Sequence, residues 1–275
     1  MITDFHTHAF PDAMADRAIT TLQSGTDKAT AKLDGRISSL LASMDKAGIG
    51  RSVVCSIATK PAQFDKILEW SKSISSERII PLPSVHPKDP DIQAHIAQIA
   101  EAGFRGIKLH PYYQEFEVDS PAMHQVYDSL CRHGLLLVCH TGFDIAFPRD
   151  RIADPQRVAK IIRAFPELKF VATHLLAWHD WDEVERHLLG RPVYTDFSMT
   201  MEFLGAERTR EMILRHPRDY VLFGTDSPWQ DQGAELERFR AFGLGPEWEQ
   251  AILIDNASRL LARQTSGSIT PAART

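Results

Sequence analysis

Cysteine is scarce in this chain, and the three residues present, Cys55, Cys131 and Cys139, form neither a CxxC pair nor a zinc-knuckle spacing. An odd, widely separated set argues against a disulfide scaffold, and reduced thiols in a cytoplasmic protein are the expectation. No apolar stretch approaches the roughly 18 residues that a membrane span needs. The N-terminus shows no basic region followed by an apolar run, so no signal peptide is expected. Basic charge is not in excess either. The net charge is −5 with both signs interspersed, which argues against a nucleic-acid surface. A glycine-rich phosphate turn after the first apolar run is missing too; that position reads His6-Thr7-His8-Ala9-Phe10-Pro11-Asp12, which disfavours a doubly wound nucleotide-binding sheet. Internal repeats and low-complexity blocks are likewise not found.

What the chain does have is alternation. Apolar runs read as strands at Ile2–His6, Arg51–Ile57, Ile79–His86, Phe104–His110, Leu135–His140, Leu168–His174, Val193–Phe197 and Tyr220–Asp226. Helical patterns lie between them, at Arg36–Ala47, Ala62–Ser75, Ile92–Ala102, Ala122–His133, Pro155–Phe165, Trp181–Leu189, Ala206–Arg215 and Leu236–Phe242, with a last helix at Pro246–Leu261. Gly48, Gly103, Gly134 and Gly190 each follow a helical pattern directly, as helix C-termini favour. Eight strands each followed by a helix predict an α/β fold, a single (β/α)8 TIM barrel. Hydrophobic content of 43% suffices for its core. Residues 1–263 are expected to form this domain, with 264–275 as a flexible C-terminal tail. The polar stretch Ser24–Gly35 reads either as a lid or as a solvated loop.

The histidines are not scattered. Strand side chains alternate faces, so His6 and His8 at the end of strand one point the same way and can grip one ion. Strand three ends in His86, strand four in Lys108-x-His110, strand five in His140, strand six in His174 and strand eight in Asp226. These are the C-terminal ends, where barrel active sites are built. Six of the twelve histidines fall there, and several imidazoles buried together are costly without a shared partner. A metal ion removes that cost. His86 reads as a hydrogen-bonded strand-end histidine. His95, His124, His133, His187 and His216 lie in or beside helices and read as solvated or packing residues. Tyr112, Tyr113, Phe143, Trp178, His179 and Trp229 follow strand ends and read either as an aromatic pocket wall or as loop anchors. Arg149 reads as an anion clamp or a surface ion pair. Asp4, inward by parity with His6, is expected to orient a ligand imidazole.

The segments Asp4-Phe5-His6-Thr7-His8, Gly106-Ile107-Lys108-Leu109-His110-Pro111, His140-Thr141-Gly142, Thr173-His174-Leu175, Tyr194-Thr195-Asp196-Phe197-Ser198 and Phe223-Gly224-Thr225-Asp226-Ser227-Pro228 resemble, in order, those of the amidohydrolase superfamily. The likeness is to its amidohydrolase-related group, which includes the aminocarboxymuconate semialdehyde decarboxylase-like enzymes. One departure is Leu175-Leu176-Ala177, where that group often has glycine. The resemblance implies that His6, His8, His140 and Asp226 hold one divalent ion, zinc by expectation. It also implies that Asp226 is the base and that His174 polarises the substrate or passes protons. Lys108 has three readings. It is a carboxylated bridge between two metals, with His140 and His174 on the second; a group that binds a substrate carboxylate; or a structural ion-pair partner. His110, Trp178 and Trp229 are substrate or neighbouring contacts.

Such a site activates water, and hydrolysis of an amide, lactone or ester of a small molecule is the leading expectation. The alternative is a lyase, a non-oxidative decarboxylase or hydratase acting on an unsaturated or aromatic acid. A metal-holding barrel without turnover is the remaining reading. A small-molecule substrate and a homodimer are the expected partners.

Overall fold

The computed structural model describes residues 1–26 and 30–262. The eight expected strands are all present, though shorter than the apolar runs that announce them: β1 (Thr3–Thr7), β2 (Arg51–Cys55), β3 (Ile79–Leu82), β4 (Gly106–Leu109), β5 (Leu136–Cys139), β6 (Phe170–Ala172), β7 (Tyr194–Asp196) and β8 (Val221–Leu222). β1 to β3 pair in parallel, and so do β4 to β8, each strand with the next in sequence. Two seams close the ring. The Lys108 amide donates to the Pro83 carbonyl (3.0 Å) between β3 and β4. The Phe5 amide donates to Phe223 (2.8 Å) and the Asp226 amide to His6 (2.7 Å) between β8 and β1. The result is a (β/α)8 barrel.

The helices are α1 (Asp12–Ser24), α2 (Ile37–Ala47), α3 (Phe64–Ile74), α4 (Ile92–Glu101), α5 (Pro111–Gln114), α6 (His124–His133), α7 (Pro155–Ala164), α8 (Trp181–His187), α9 (Thr200–Phe203), α10 (Ala206–Arg215), α11 (Gln232–Arg240), α12 (Pro246–Gln250) and α13 (Asn256–Leu261). None of the described helices is long and apolar enough to cross a membrane. Local chemistry sets their ends. Asp154 accepts from the amides of Gln156 and Arg157 ahead of Pro155, which opens α7. Gly134 closes α6 at φ 65°. Asp231 caps the amide of Ala234, so α11 starts at Gln232 rather than at the expected Leu236. The single helix expected over Pro246–Leu261 is divided by a wider, π-type turn over Ala251–Asp255.

α1 is the longest helix that the periodicity did not announce, the four-residue α5 and α9 being the others. Ala15 is its one buried residue, so it carries no apolar stripe for a core. Ser24, the first residue of the stretch read as a lid or a solvated loop, ends α1; residues 27–29 of that stretch lie outside the described residues, as does the expected tail 264–275.

Two apolar layers make the core. Inside the barrel, Phe5, Val53, Leu82, Val138, Val171 and Leu222 interdigitate above Leu260 and Leu261 of α13, which close the bottom. Outside, Val54, Ile107, Leu137 and Ala172 face the helices. β1 breaks strict alternation. Its register against β2 shifts between Asp4 and Thr7, and such a bulge re-aims the residues around it. Phe5 therefore belongs to the barrel interior while His6, its neighbour, opens onto the site above.

That shift overturns the reading of Asp4 as an imidazole orienter. Asp4 faces the helix layer, where it accepts from Thr225 Oγ1 (2.6 Å), the Thr225 amide (3.0 Å), Gln232 Nε2 (2.7 Å) and the His6 amide (3.3 Å). Burial pushes its pKa up to about 7, against the pull of those donors. Asp4 thus ties β1 to the segment after β8. Asp4→Ala would leave Thr225 and Gln232 buried without an acceptor, and should lower stability by about 3 kcal/mol in urea unfolding; a loss below about 0.5 kcal/mol would show that the tie is not needed.

Candidate metal centre

The C-terminal rim of the barrel opens on a cavity of about 350 Å³. His6 and His8 reach it from β1, Lys108 from β4, His110 from the end of that strand, and His140, His174 and Asp226 from just beyond β5, β6 and β8. The rule that strand ends converge accounts for this gathering.

Three ligand-type atoms meet at one point. His6 Nε2 and His8 Nε2 are 3.2 Å apart, and Asp226 Oδ1 lies 3.4 Å from the first and 3.1 Å from the second. The far side of each ring is committed. His8 Nδ1 donates to the Cys55 carbonyl at 2.8 Å. His6 Nδ1 lies 3.2 Å from Asp196 Oδ2. Neutral His6 therefore keeps its proton on Nδ1, and both rings turn Nε2 toward the common point. Burial first, and then the charge of Lys108, pushes the pKa of His6 down to about 4, so it stays neutral at pH 7. Burial raises the pKa of Asp226, but His6 and His8 outweigh it and hold the carboxyl well below the ordinary range. His8 and Asp226 are 13% and 14% exposed, against 1% for His6, so the open side of the group faces the cavity.

Asp196 and Ser198 were not singled out as site residues by the sequence, although Asp196 ends β7 as the other site residues end their strands. Ser198 Oγ donates to Asp196 Oδ1 (2.5 Å) and lies 2.9 Å from His174 Nδ1. One buried carboxylate–hydroxyl pair thus positions two histidines. Gly224 makes the room for it. A Cβ there would meet Asp196 Cβ at 2.8 Å and His6 Cβ at 3.0 Å.

His140 does not stand in the group of His6, His8 and Asp226. Its Nε2 donates to the Phe143 carbonyl (2.8 Å), its Nδ1 faces His174 Nε2 (3.2 Å), and its ring stacks on His110 with centroids 4.2 Å apart. His110 Nε2 lies 3.3 Å from Asp144 Oδ2, and His110, His140 and Asp144 form a separate ligand-type cluster. His6, His174 and Asp196 form another. The four expected ligands are therefore divided, three at one point and His140 beside His174. Burial pushes the pKa of His110 and His140 well below the ordinary histidine value.

The segment that carries His174 is unusual. His174, Leu175 and Leu176 are all left-handed, at φ 59°, 55° and 76°, a conformation that costs a non-glycine residue about 1–2 kcal/mol. Bonds from the Leu175 amide to Asp196 O (2.6 Å) and from the Leu176 amide to Thr195 Oγ1 (2.8 Å) hold it. This is the stretch where the resembled group often has glycine.

Lys108 is buried, with Nζ 3.0 Å from His6 Nε2. Trp178, Trp229 and Tyr113 line the cavity. Tyr112 is a loop anchor, its hydroxyl donating to Asp150 O (2.5 Å). Arg149 lies over the Phe143 ring and donates to His179 O, and it is not part of the cavity wall. His86 Nδ1 accepts from the Lys88 amide, as a hydrogen-bonded strand-end residue.

The donor set fits a divalent ion. Two imidazole nitrogens, each ring held at Nδ1 by a partner, and a carboxylate oxygen on the cavity side are the ligand types and support of a catalytic zinc-class site. His6, His8 and Asp226 would hold it.

Residues 3–263 match the family model described as amidohydrolase. No curated protein matches the chain. Among solved structures, an uncharacterized TIM-barrel protein, Bb4693 from Bordetella bronchiseptica, superposes with a TM-score of 0.77 at 21% identity, covering 94% of this chain and 98% of that one. The 5-carboxyvanillate decarboxylase of Novosphingobium aromaticivorans, complexed with manganese and a nitrobenzoic acid, gives 0.67 at 14% identity over 95% of this chain and 96% of that one. A probable 2-pyrone-4,6-dicarboxylic acid hydrolase from Acinetobacter baumannii, with citric acid bound, gives 0.64 at 12% identity over 94% and 98%. At these identities the likeness speaks for the fold.

Asp196→Asn should lower zinc affinity about 10- to 100-fold in competition with a chromophoric chelator, with the fold retained by circular dichroism. An unchanged affinity would remove Asp196 from its positioning role.

Proposed function

This chain belongs to the amidohydrolase family, and from that premise we propose that it is a metal-dependent hydrolase of a small molecule, cleaving an amide, lactone or ester bond with activated water. The observation that carries this reading is the convergence of His6 Nε2, His8 Nε2 and Asp226 Oδ1 on a point open to the cavity. His6, His8 and Asp226 would hold a divalent ion, zinc in this proposal, which would supply acidification of water toward a pKa of about 7 and polarisation of the scissile carbonyl. Asp226 accepts the proton of the attacking water and returns it to the leaving group. His174, fixed through Nδ1 by Ser198, hydrogen-bonds the substrate oxygen or passes a proton. Lys108 binds a substrate carboxylate.

In the one-ion scheme His140 would complete the ligand set through Nδ1, the nitrogen left without a proton by the bond from Nε2 to the Phe143 carbonyl. In the two-ion scheme Lys108 is carboxylated and His140 and His174, already facing each other at 3.2 Å, serve the second ion. A cytoplasmic location goes with this reading and is supported by the free thiols of Cys55, Cys131 and Cys139.

Decarboxylation is the second reading. It is favoured by a buried lysine beside the centre, by apolar cavity walls and by the activity carried in the name of the Novosphingobium neighbour. In that reaction the carbon–carboxylate bond would break, carbon dioxide would depart, and the carbon would take a proton drawn from water through Asp226, leaving hydroxide.

Asp226→Asn in metal-loaded protein should reduce turnover at least about 100-fold, and a near-normal rate would contradict its role as base. Metal analysis of the purified protein should give one ion per chain, or two with a carboxylated Lys108; none, after exposure to excess zinc or manganese, would overturn the proposal. Product analysis on a panel of lactones, amides and aromatic acids separates the two reactions, since carbon dioxide release without a hydrolysed bond would replace hydrolysis by decarboxylation.

A further inference from the structure

α3 has two apolar faces. Phe64, Leu68 and Ser71 turn to the core, whereas Ile67 and Trp70, three residues apart and so neighbours on the helix surface, turn to the cavity beside Gln63 and Lys66. α1 repeats the arrangement on the same cavity. Met14 and Leu22, two turns apart on one face, line the same cavity, while Ala15 alone is buried against the core. Met14 is 57% exposed, among the most exposed large apolar side chains of the described residues. Ile57, Ile145 and Trp229 belong to the same lining as the histidines. Ionisable groups other than Lys66 gather at the deep end, at Lys108, Asp144, Asp226 and the histidines.

We infer that the substrate is two-ended: a polar reactive head held among Lys108, Asp226 and the histidines, and an extended alkyl or aryl body clasped between α1 and α3. This rests on the metal-dependent reading of the deep end and adds the class of molecule that end acts upon. The occupant is the substrate's own apolar part because the apolar chamber and the polar centre are one continuous cavity. A separate docking partner would have to enter the space the head needs. Covering Met14, Leu22, Ile67 and Trp70 removes apolar surface from water in proportion to the length of the body. Small, wholly polar molecules forgo this and bind weakly.

The test uses zinc-loaded protein and straight-chain carboxylates from acetate to decanoate as probes, with affinities from titration calorimetry. Each methylene should tighten binding about threefold to fourfold until the chamber is filled. Met14→Asp, on an exposed position where folding is not at stake, should lower the octanoate-to-acetate affinity ratio at least tenfold, and Ile67→Asp should do the same. Affinity that stays flat from acetate to octanoate overturns the inference, as does a ratio unchanged in both variants. Repeating the series without zinc keeps the two readings apart. A chain-length dependence that survives in a protein that binds no metal supports the chamber and sinks the metal centre, whereas zinc binding with a flat series does the reverse.

Discussion

Two imidazole Nε2 atoms 3.2 Å apart, with the Asp226 carboxylate within 3.4 Å of both, are the constraint on which this rim of the barrel depends. The Cys55 carbonyl and the Asp196 carboxylate engage Nδ1 of His8 and His6, so Nε2 is the atom that each ring turns to the common point. Protonating His6 outright is opposed by its burial and by Lys108. What remains is a cation. Lys108 supplies one from the side, 3.0 Å from His6 Nε2, and Asp226 supplies a negative neighbour that favours a second. A divalent ion is the species that satisfies both lone pairs and the carboxylate together.

Several features of the surrounding fold exist at a local cost that this arrangement explains. A register shift in β1 gives up regular pairing and lets both Phe5 and His6 serve the interior. Gly224 leaves a gap that Asp196 and His6 fill. Three consecutive left-handed residues carry His174 into the site, held by bonds to Thr195 and Asp196. Backbone strain clustered around reactive groups, over-determined by hydrogen bonds, is where function rather than stability sets the conformation. Asp226, itself at φ 60°, belongs to the same pattern.

The barrel was legible because its signals are periodic and repeated: eight apolar runs, eight amphipathic stretches and polar residues at one end of each strand. The convergence of His6, His8 and Asp226 at one rim was legible for the same reason. Asp4 was misjudged because parity holds only while the register does, and a bulge is a pairing property that one strand's sequence does not display. Cys55 contributes through its backbone carbonyl, for which a side-chain alphabet has no symbol. Asp196 was within reach, standing at the end of its strand as the others do; its short run and its lack of a histidine hid it. The place of His140 depends on which of two nitrogens meets Phe143 and His174, a choice of ring orientation beyond any spacing rule. α1 escaped notice since a helix that covers a cavity needs no stripe for a core.

The central claim is that one ion sits where His6, His8 and Asp226 meet. Anomalous X-ray diffraction from crystals of the zinc-loaded protein, recorded on both sides of the zinc absorption edge, tests it most directly. The account predicts an anomalous peak within about 2.0–2.2 Å of His6 Nε2, His8 Nε2 and an Asp226 carboxylate oxygen. A peak confined to His110, His140 and Asp144, or none at the barrel rim, would contradict it.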